Sequence, residues 1–349
     1  MSFKVSIQPS GKQFDVEPGE AILAAALRQS VILPYGCRNG ACGSCKALML
    51  EGVIEQGPHS SGAMKPEEAE RGQVLLCCAT AASDLSIQCR VIAAAGDIPI
   101  RKMPCRIASI SEAAPDVRIL RLQLPANERL QYLAGQYVEV LLRDGSRRSY
   151  SMAGAPHAAE QIELHIRHMP GGKFTDALFG ATQPGFKERD ILRFEGPMGT
   201  FFLREDSDAP IVFVASGTGF APIKAIIEHA LHKGIRRPMT LYWGGRRPRD
   251  LYLNALCEQW AAEVPDFRYV PVVSDALAED AWQGRTGFVH RAVMADFPDL
   301  SVHQVYACGA PVVVESAERD FTAHCKLSAD QFFADSFTSE ADLAATRTD

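Results

Sequence analysis

Four cysteines carry the clearest chemistry in the sequence. Cys37, Cys42 and Cys45 fall within nine positions as Cys37-Arg-Asn-Gly-Ala-Cys42-Gly-Ser-Cys45, and a further pair, Cys77-Cys78, follows about thirty residues later. The spacing C-x4-C-x2-C with a distant fourth cysteine is one that ligates a [2Fe–2S] cluster, because four thiolates must reach two irons from one tight loop and one remote segment. Gly36, Gly40 and Gly43 let that loop curl and turn its N–H groups towards sulfur. Zinc sites favour paired C-x2-C units over this three-plus-one layout. A reading as plain core residues suits Cys89 or Cys105 better. If Cys77 and Cys78 stand on a strand, they point to opposite faces and only one reaches the irons.

Further along lie three glycine- and arginine-bearing segments. Arg148-Ser149-Tyr150-Ser151 sits on an expected strand, with Gly171-Gly172-Lys173-Phe174-Thr175 downstream. Ser216-Gly217-Thr218-Gly219-Phe220-Ala221-Pro222 joins the continuous apolar run Ile211–Ala215 to a helical stretch. A turn in that place can receive a pyrophosphate on its backbone amides, although it is not the G-x-G-x-x-G of dehydrogenases. Cys308-Gly309-Ala310-Pro311 follows the last expected strand, and Trp243-Gly244-Gly245-Arg246-Arg247 follows an earlier one.

Together these motifs resemble the ferredoxin–NADP reductase superfamily, preceded by a plant-type ferredoxin. In that family the fourth ligand directly follows a Leu-rich strand, as in Val74-Leu75-Leu76-Cys77. The resemblance therefore implies Cys37, Cys42, Cys45 and Cys77 as cluster ligands. It implies that Arg148, a planar fork that never loses its charge, pairs with the pyrophosphate of FAD. Tyr150 would pack on the flavin ring, and Ser151 would lie near its reactive nitrogen. The turn of Gly171 and Gly172, with Lys173 and Thr175, would open a helix holding the diphosphate. Gly217, Thr218, Gly219 and Pro222 match the family's G-T-G-x-x-P nucleotide loop. Cys308 matches the cysteine beside the nicotinamide, and with Ser151 it would flank hydride transfer. Arg246 would meet the adenosine ribose, and Phe337, in the aromatic tail Phe332–Phe337, would lie near the flavin. No acidic residue closes the strand at Trp243, yet NADH-using members also carry W/Y-G-x-R there, so NADH rather than NADPH is expected.

The elements that must position these residues fall into three segments. Residues 1–95 alternate as a small sheet around a helix at Ala21–Leu27, with strands at Phe3–Ile7, Ala47–Leu50, Val74–Cys77 and Leu85–Val91. Residues 103–205 read as closely spaced strands of a small barrel, among them Cys105–Ile110, Val117–Leu124, Tyr137–Leu142 and Glu163–Arg167. Residues 208–340 alternate strand and helix as a doubly wound α/β domain does, with a helix near Phe288–Phe297. Ala93–Asp97 reads as a linker, and the polar end from Thr338 as frayed. The expected fold is thus multidomain, α+β and α/β. A β-grasp-like ferredoxin domain precedes a flavin-binding antiparallel β-barrel and a nucleotide-binding parallel sheet.

At 349 residues the chain has room for two or three such domains. Its net charge of −6 argues against a nucleic-acid partner. No apolar run approaches the ~20 residues of a membrane span, and the chain is expected to be cytoplasmic. There is no G-x-S-x-G, and the histidines, His165 and His168 included, show no triad spacing, so hydrolysis is not indicated. The domain order resembles reductase components of aromatic-ring dioxygenases, of phenol hydroxylases and of the CDP-6-deoxy-Δ3,4-glucoseen reductase type, and the stretches Leu33–Cys42 and Asp97–Pro104 are most similar to the last. It implies an electron-accepting protein partner: a pyridoxamine-phosphate-dependent dehydrase or an oxygenase component. A self-contained flavin, ferric or quinone reductase and a redox sensor are the other classes. Complete flavin and nucleotide motifs disfavour the sensor, and the ferredoxin segment favours a protein acceptor. With 8 basic and 9 acidic residues, that segment offers no strong electrostatic steering.

Overall fold

Val5 and Ile7, alternate residues of the first strand, are wholly buried, as the two-residue period of a half-buried strand requires. The computed structural model describes residues 2–92, 98–158 and 160–337; the expected linker at 93–97 and the end from Thr338 lie outside them. The chain divides into two units, residues 1–99 with those from 335 on, and residues 100–334.

The first unit runs β1 (Phe3–Gln8), β2 (Gln13–Val16), α1 (Ile22–Arg28), β3 (Lys46–Glu51), β4 (Ile54–Gln56), α2 (Pro66–Glu70), β5 (Gln73–Leu75), β6 (Ala79–Ala81) and β7 (Leu85–Gln88). Its main sheet has the order β2-β1-β7-β3-β5, with β1 and β7 parallel and the other pairs antiparallel. α1 buries Ile22, Leu23, Ala25 and Ala26, so one apolar stripe anchors the helix. This mixed sheet with its helix is the β-grasp arrangement expected. The chain from α1 to β3 is left as a long loop, and the first three cysteines lie on it.

The strand expected over Val74–Cys77 ends two residues early. β5 stops at Leu75, and Cys77 and Cys78 occupy a turn closed by the Cys78 N–H donating to the Leu75 carbonyl (3.0 Å). Strand alternation therefore does not separate the two sulfurs, which approach to 3.5 Å.

The second unit begins with β8 (Arg101–Ala114), β9 (Val117–Gln123), β10 (Tyr137–Leu141), β11 (Arg147–Ser151), β12 (Gln161–Arg167), α3 (Lys173–Phe179) and β13 (Ile191–Met198). The antiparallel order is β11-β10-β13-β8-β9-β12. A bridge between Met152 and Leu164, with the Ala153 N–H donating to the Glu163 carbonyl (2.8 Å), closes β11 onto β12 and makes a barrel. Leu120, Leu122, Val138, Val140, Leu164, Ile166 and Phe194 fill it.

The parallel part comprises β14 (Ile211–Ser216), α4 (Phe220–His232), β15 (Met239–Gly245), α5 (Asn254–Glu263), β16 (Phe267–Val273), β17 (Arg285–Thr286), α6 (Val289–Asp296), β18 (Gln304–Gly309), α7 (Pro311–His324) and β19 (Phe332–Ser336). The order is β17-β16-β15-β14-β18-β19. Ile211 to Ala215 are all buried, as a strand covered on both faces demands. α7 was not anticipated: Pro311-Val-Val-Val looks extended, but proline at the first helical position gives up an N–H that no helix turn would use.

Candidate cofactor sites

The loop before β3 is built to present sulfur. The Cys37 N–H donates to Cys42 Sγ and the Ala41 N–H to Cys37 Sγ, each at 3.3 Å. The Ser44 hydroxyl lies 3.4 Å from Cys42 Sγ. Gly40 has φ +81°, and a Cβ there would stand 2.7 Å from Cys78 Sγ, so conformation and space both require glycine. The sulfurs meet as two pairs, Cys37 with Cys42 and Cys45 with Cys77. The Cys42 contact holds the Cys37 thiol below its ordinary range, while contact with Cys45 and burial push Cys77 up to about 12. Among the described residues no three His, Cys, Asp or Glu side chains converge on one point, as a single ion would need. The chemistry of the four thiols Cys37, Cys42, Cys45 and Cys77, with Cys78 beside the last, fits a two-iron cluster.

On β11, Arg148 is half-buried and its Nη1 donates to the Arg147 carbonyl (2.7 Å). Tyr150 packs on Phe174 with ring centroids 5.3 Å apart, and burial pushes its phenol pKa up. Ser151 closes the strand and is buried. Gly171 (φ +84°) and Gly172 open α3 as expected. Their own amides are engaged, Gly171 with Asp176 Oδ2 (3.1 Å) and Gly172 with the Met169 carbonyl (2.8 Å). The Thr175 hydroxyl donates to the Met169 carbonyl (2.8 Å), and Lys173 pairs with Asp144. The start of α3 leaves the amides of its first turn without intrahelical partners.

Between β14 and α4, Gly217–Gly219 form a single 3₁₀ turn. Gly217 (φ +52°) lies against Arg167, whose Nη1 would be 2.8 Å from any Cβ there. Gly219 packs on the Cys308–Gly309 backbone, and the Ala310 N–H donates to Ser216 Oγ (3.0 Å). Thr218 is half-buried, while Pro222 and Cys308 are buried. Trp243 Nε1–H donates to the Gly217 carbonyl (3.0 Å), and its ring stacks on Phe220 at 3.9 Å. The ends of β15 and β18 thus hold the turn in place. Past β15, Arg246 is exposed and lines a cleft of about 370 Å³ together with Asp116, Arg247, Arg249, Asp250 and Asp275. Arg247 is committed elsewhere, to Asp280 (2.6 and 2.8 Å) and Glu279 (3.1 Å). Phe337 follows β19 and is half-buried, in the first unit.

Sequence reasoning missed several residues on β12. Arg167 Nε lies 3.1 Å from Asp116 Oδ2, but off the line of a hydrogen bond, and that buried nitrogen has no hydrogen-bond partner. Glu163 and His165 share its face, opposite Ile162, Leu164 and Ile166 in the barrel core. A polar residue at every second position was the available signal.

Three family profiles match in the order of these sites. They are a 2Fe-2S iron-sulfur cluster binding domain over residues 5–83, an oxidoreductase FAD-binding domain over 104–203 and an oxidoreductase NAD-binding domain over 213–319. The chain is 40% identical over 337 residues to a CDP-6-deoxy-L-threo-D-glycero-4-hexulose-3-dehydrase reductase of Yersinia pseudotuberculosis, covering 97% of this chain and 99% of that one. The chain belongs to the iron–sulfur flavoprotein reductases of the ferredoxin–NADP reductase superfamily. It is also 38% identical over 339 residues to reductase component 1 of a Comamonas terephthalate 1,2-dioxygenase, covering 97% and 98%. Among solved structures, the Amycolatopsis cytochrome P450 reductase GcoB is similar with a TM-score of 0.76 at 33% identity, covering 97% and 99%. This reductase family passes electrons from a nicotinamide nucleotide through FAD to a [2Fe–2S] cluster. The three domains support those groups here, and among the described residues no helix is long and apolar enough to cross a membrane.

Proposed function

We propose that the chain is the NADH-using, electron-supplying component of a two-protein system whose acceptor is a pyridoxamine-phosphate-dependent dehydrase. The single observation that carries the reading is the full-length similarity to a reductase named for a hexulose-3-dehydrase. An oxygenase component is the second acceptor class, favoured by the similarity to a dioxygenase reductase component. Bound in the barrel, FAD would supply the exchange between a two-electron hydride donor and a one-electron iron–sulfur acceptor, which is why both groups are needed in one chain.

The residues take the following roles in this reading. Cys37, Cys42, Cys45 and Cys77 would hold a [2Fe–2S] cluster, consistent with the contacts of Cys37 with Cys42 and of Cys45 with Cys77. Arg148 and the first amides of α3 neutralise the flavin diphosphate, and Tyr150 walls the ring. Ser151 and Cys308 flank the site of hydride transfer, and Gly217–Gly219 receive the nucleotide pyrophosphate. Arg246 meets the adenosine ribose. The preference for NADH is supported by Arg247, because a guanidinium clamped by two carboxylates does not offer its fork to a 2′-phosphate. Domain limits of 1–95, 103–205 and 208–340 follow from the motif order.

The test is reconstitution. Purified reductase, NADH and a purified dehydrase should consume NADH in step with product. Coupling to an oxygenase alone would replace the acceptor. Equally fast turnover with free flavin or ferric complexes, and with neither protein, would overturn the two-protein reading. Within the site, Ser151→Ala should slow flavin reduction with the cluster spectrum intact, and unchanged stopped-flow traces would refute that role.

A further inference from the structure

Beneath the nucleotide turn lies a buried polar chain that none of these roles uses. His165 on β12 is 4% exposed, and its two ring nitrogens are both engaged: Nδ1 with the Tyr252 hydroxyl (2.9 Å) and Nε2 with Glu163 Oε1 (3.0 Å). One neutral tautomer satisfies both, with Nε2–H donating to the carboxylate and Nδ1 accepting from the phenol. Burial, the largest influence on His165, lowers its pKa and keeps that neutral form. The other oxygen of Glu163 accepts from Arg121 (2.9 and 3.1 Å). Lys224 of α4, 8% exposed, places its ammonium 3.2 Å from Glu163, 2.8 Å from Glu228 and 3.2 Å from the Ala153 carbonyl. The ammonium thus has one hydrogen bond and two carboxylate ion pairs.

Each end of this chain leads to a part of the redox site. Ala153 lies two residues beyond Ser151 at the end of the flavin strand. Lys224 stands in the second turn of α4, whose start is the nucleotide turn. Tyr252 meets Trp243 edge-on, with centroids 5.1 Å apart at 89°, and Trp243 in turn holds the Gly217 carbonyl. A surface ion pair would contribute little, but buried pairs of this kind fix geometry when every member is satisfied.

We propose that Glu163, His165, Lys224 and Tyr252 are positioning residues that hold the nucleotide turn against the flavin strand at the spacing hydride transfer requires. The proposal rests on the reading of Gly217–Gly219 as the nucleotide site. The clamp acts through the Tyr252 hydroxyl, whose removal cuts the tie between His165 and the ring that meets Trp243 without changing any group assigned to a cofactor.

The test uses the whole, cluster-loaded protein in anaerobic stopped flow. Tyr252→Phe keeps the ring and loses the hydroxyl. It should lower the limiting rate of flavin bleaching by NADH about tenfold, while the NADH concentration for half-maximal rate moves less than about twofold. FAD content, cluster absorbance and unfolding midpoint should match the wild type. Glu163→Gln, which removes the charge on which Lys224, His165 and Arg121 converge, should slow the same step. The double variant should be no slower than the slower single, as for residues acting as one unit. Wild-type rates in Tyr252→Phe, losses that track lost FAD, or fully additive effects would each overturn the proposal. Wild-type protein that NADH binds to but does not bleach would instead overturn the nucleotide-site reading on which it rests.

Discussion

Gly219→Ala tests the nucleotide turn where the structure leaves least room. A Cβ at this position would stand 2.6 Å from Gly309 Cα and closer still to the Cys308 carbonyl. Both neighbours are backbone at the end of β18, inside the parallel sheet, so neither can swing away as a side-chain tip would. Ordinary contact begins near 3.4 Å, and the turn must therefore retreat from β18 by about 1 Å. Gly219 itself has φ −59°, which alanine adopts freely, so the whole effect is steric. Overpacking of this kind costs about 1–3 kcal/mol of stability, which a domain of ordinary stability survives. A displacement of about 1 Å between reacting groups can cost about a hundredfold in rate. Anaerobic stopped flow with NADH should show that loss in flavin bleaching, with FAD content and the cluster bands retained. A variant that holds both cofactors, unfolds slightly early and is bleached at the wild-type rate would show that nucleotide does not bind on this turn.

Other outcomes follow from the same contacts. Cys42→Ala should lose the cluster's visible bands, whereas Cys77→Ala should keep an altered cluster held by Cys78, 3.5 Å away; the Cys77→Ala/Cys78→Ala double variant should lose it, and visible circular dichroism separates the three. Asp280→Asn with Glu279→Gln releases Arg247 and should shift the ratio of NADPH to NADH efficiency upward, by about tenfold or more for a restored charge-assisted contact; an unchanged ratio would show that Arg247 does not lie within reach of the ribose. Acid should destabilise the second unit. Burial raises the Glu163 pKa, but His165 and Lys224 outweigh it and hold it low, and burial holds His165 low as well. Both folded values lie below the unfolded ones, so the stabilisation is present above about pH 6.5 and fades as pH falls, first through His165 and then through Glu163. Unfolding midpoints from pH 7 to 4 should decline more steeply in wild type than in a variant lacking both titrations, Glu163→Gln with His165→Asn.

The cysteine loop, the Arg148–Ser151 strand and the Gly217–Gly219 turn stand out in the sequence because each joins residue types that few other structures demand at such spacing. Cys37, Cys42 and Cys45 lie on one loop, and the apolar run Ile211–Ala215 announces a doubly covered strand. What escaped depended on contacts distant in sequence. The turn at Cys77–Cys78 reads as a strand because Val74, Leu75 and Leu76 precede it without a glycine or proline. α7 hides behind three valines, whose weak helix propensity is overridden by packing of Val314, Ala317 and Phe321. Lys224, 59 residues from His165 in sequence and joined to it through Glu163, looks like an ordinary surface lysine until the barrel and α4 are placed together.

The central claim is the route from NADH through FAD to the cluster. It is tested most directly by anaerobic absorbance titration of the purified, cofactor-loaded protein with NADH. The account predicts bleaching of both the flavin and the iron–sulfur bands, saturating at about three electrons per chain, two for FAD and one for the cluster. Flavin bleaching at two electrons beside a cluster that stays oxidised would contradict it.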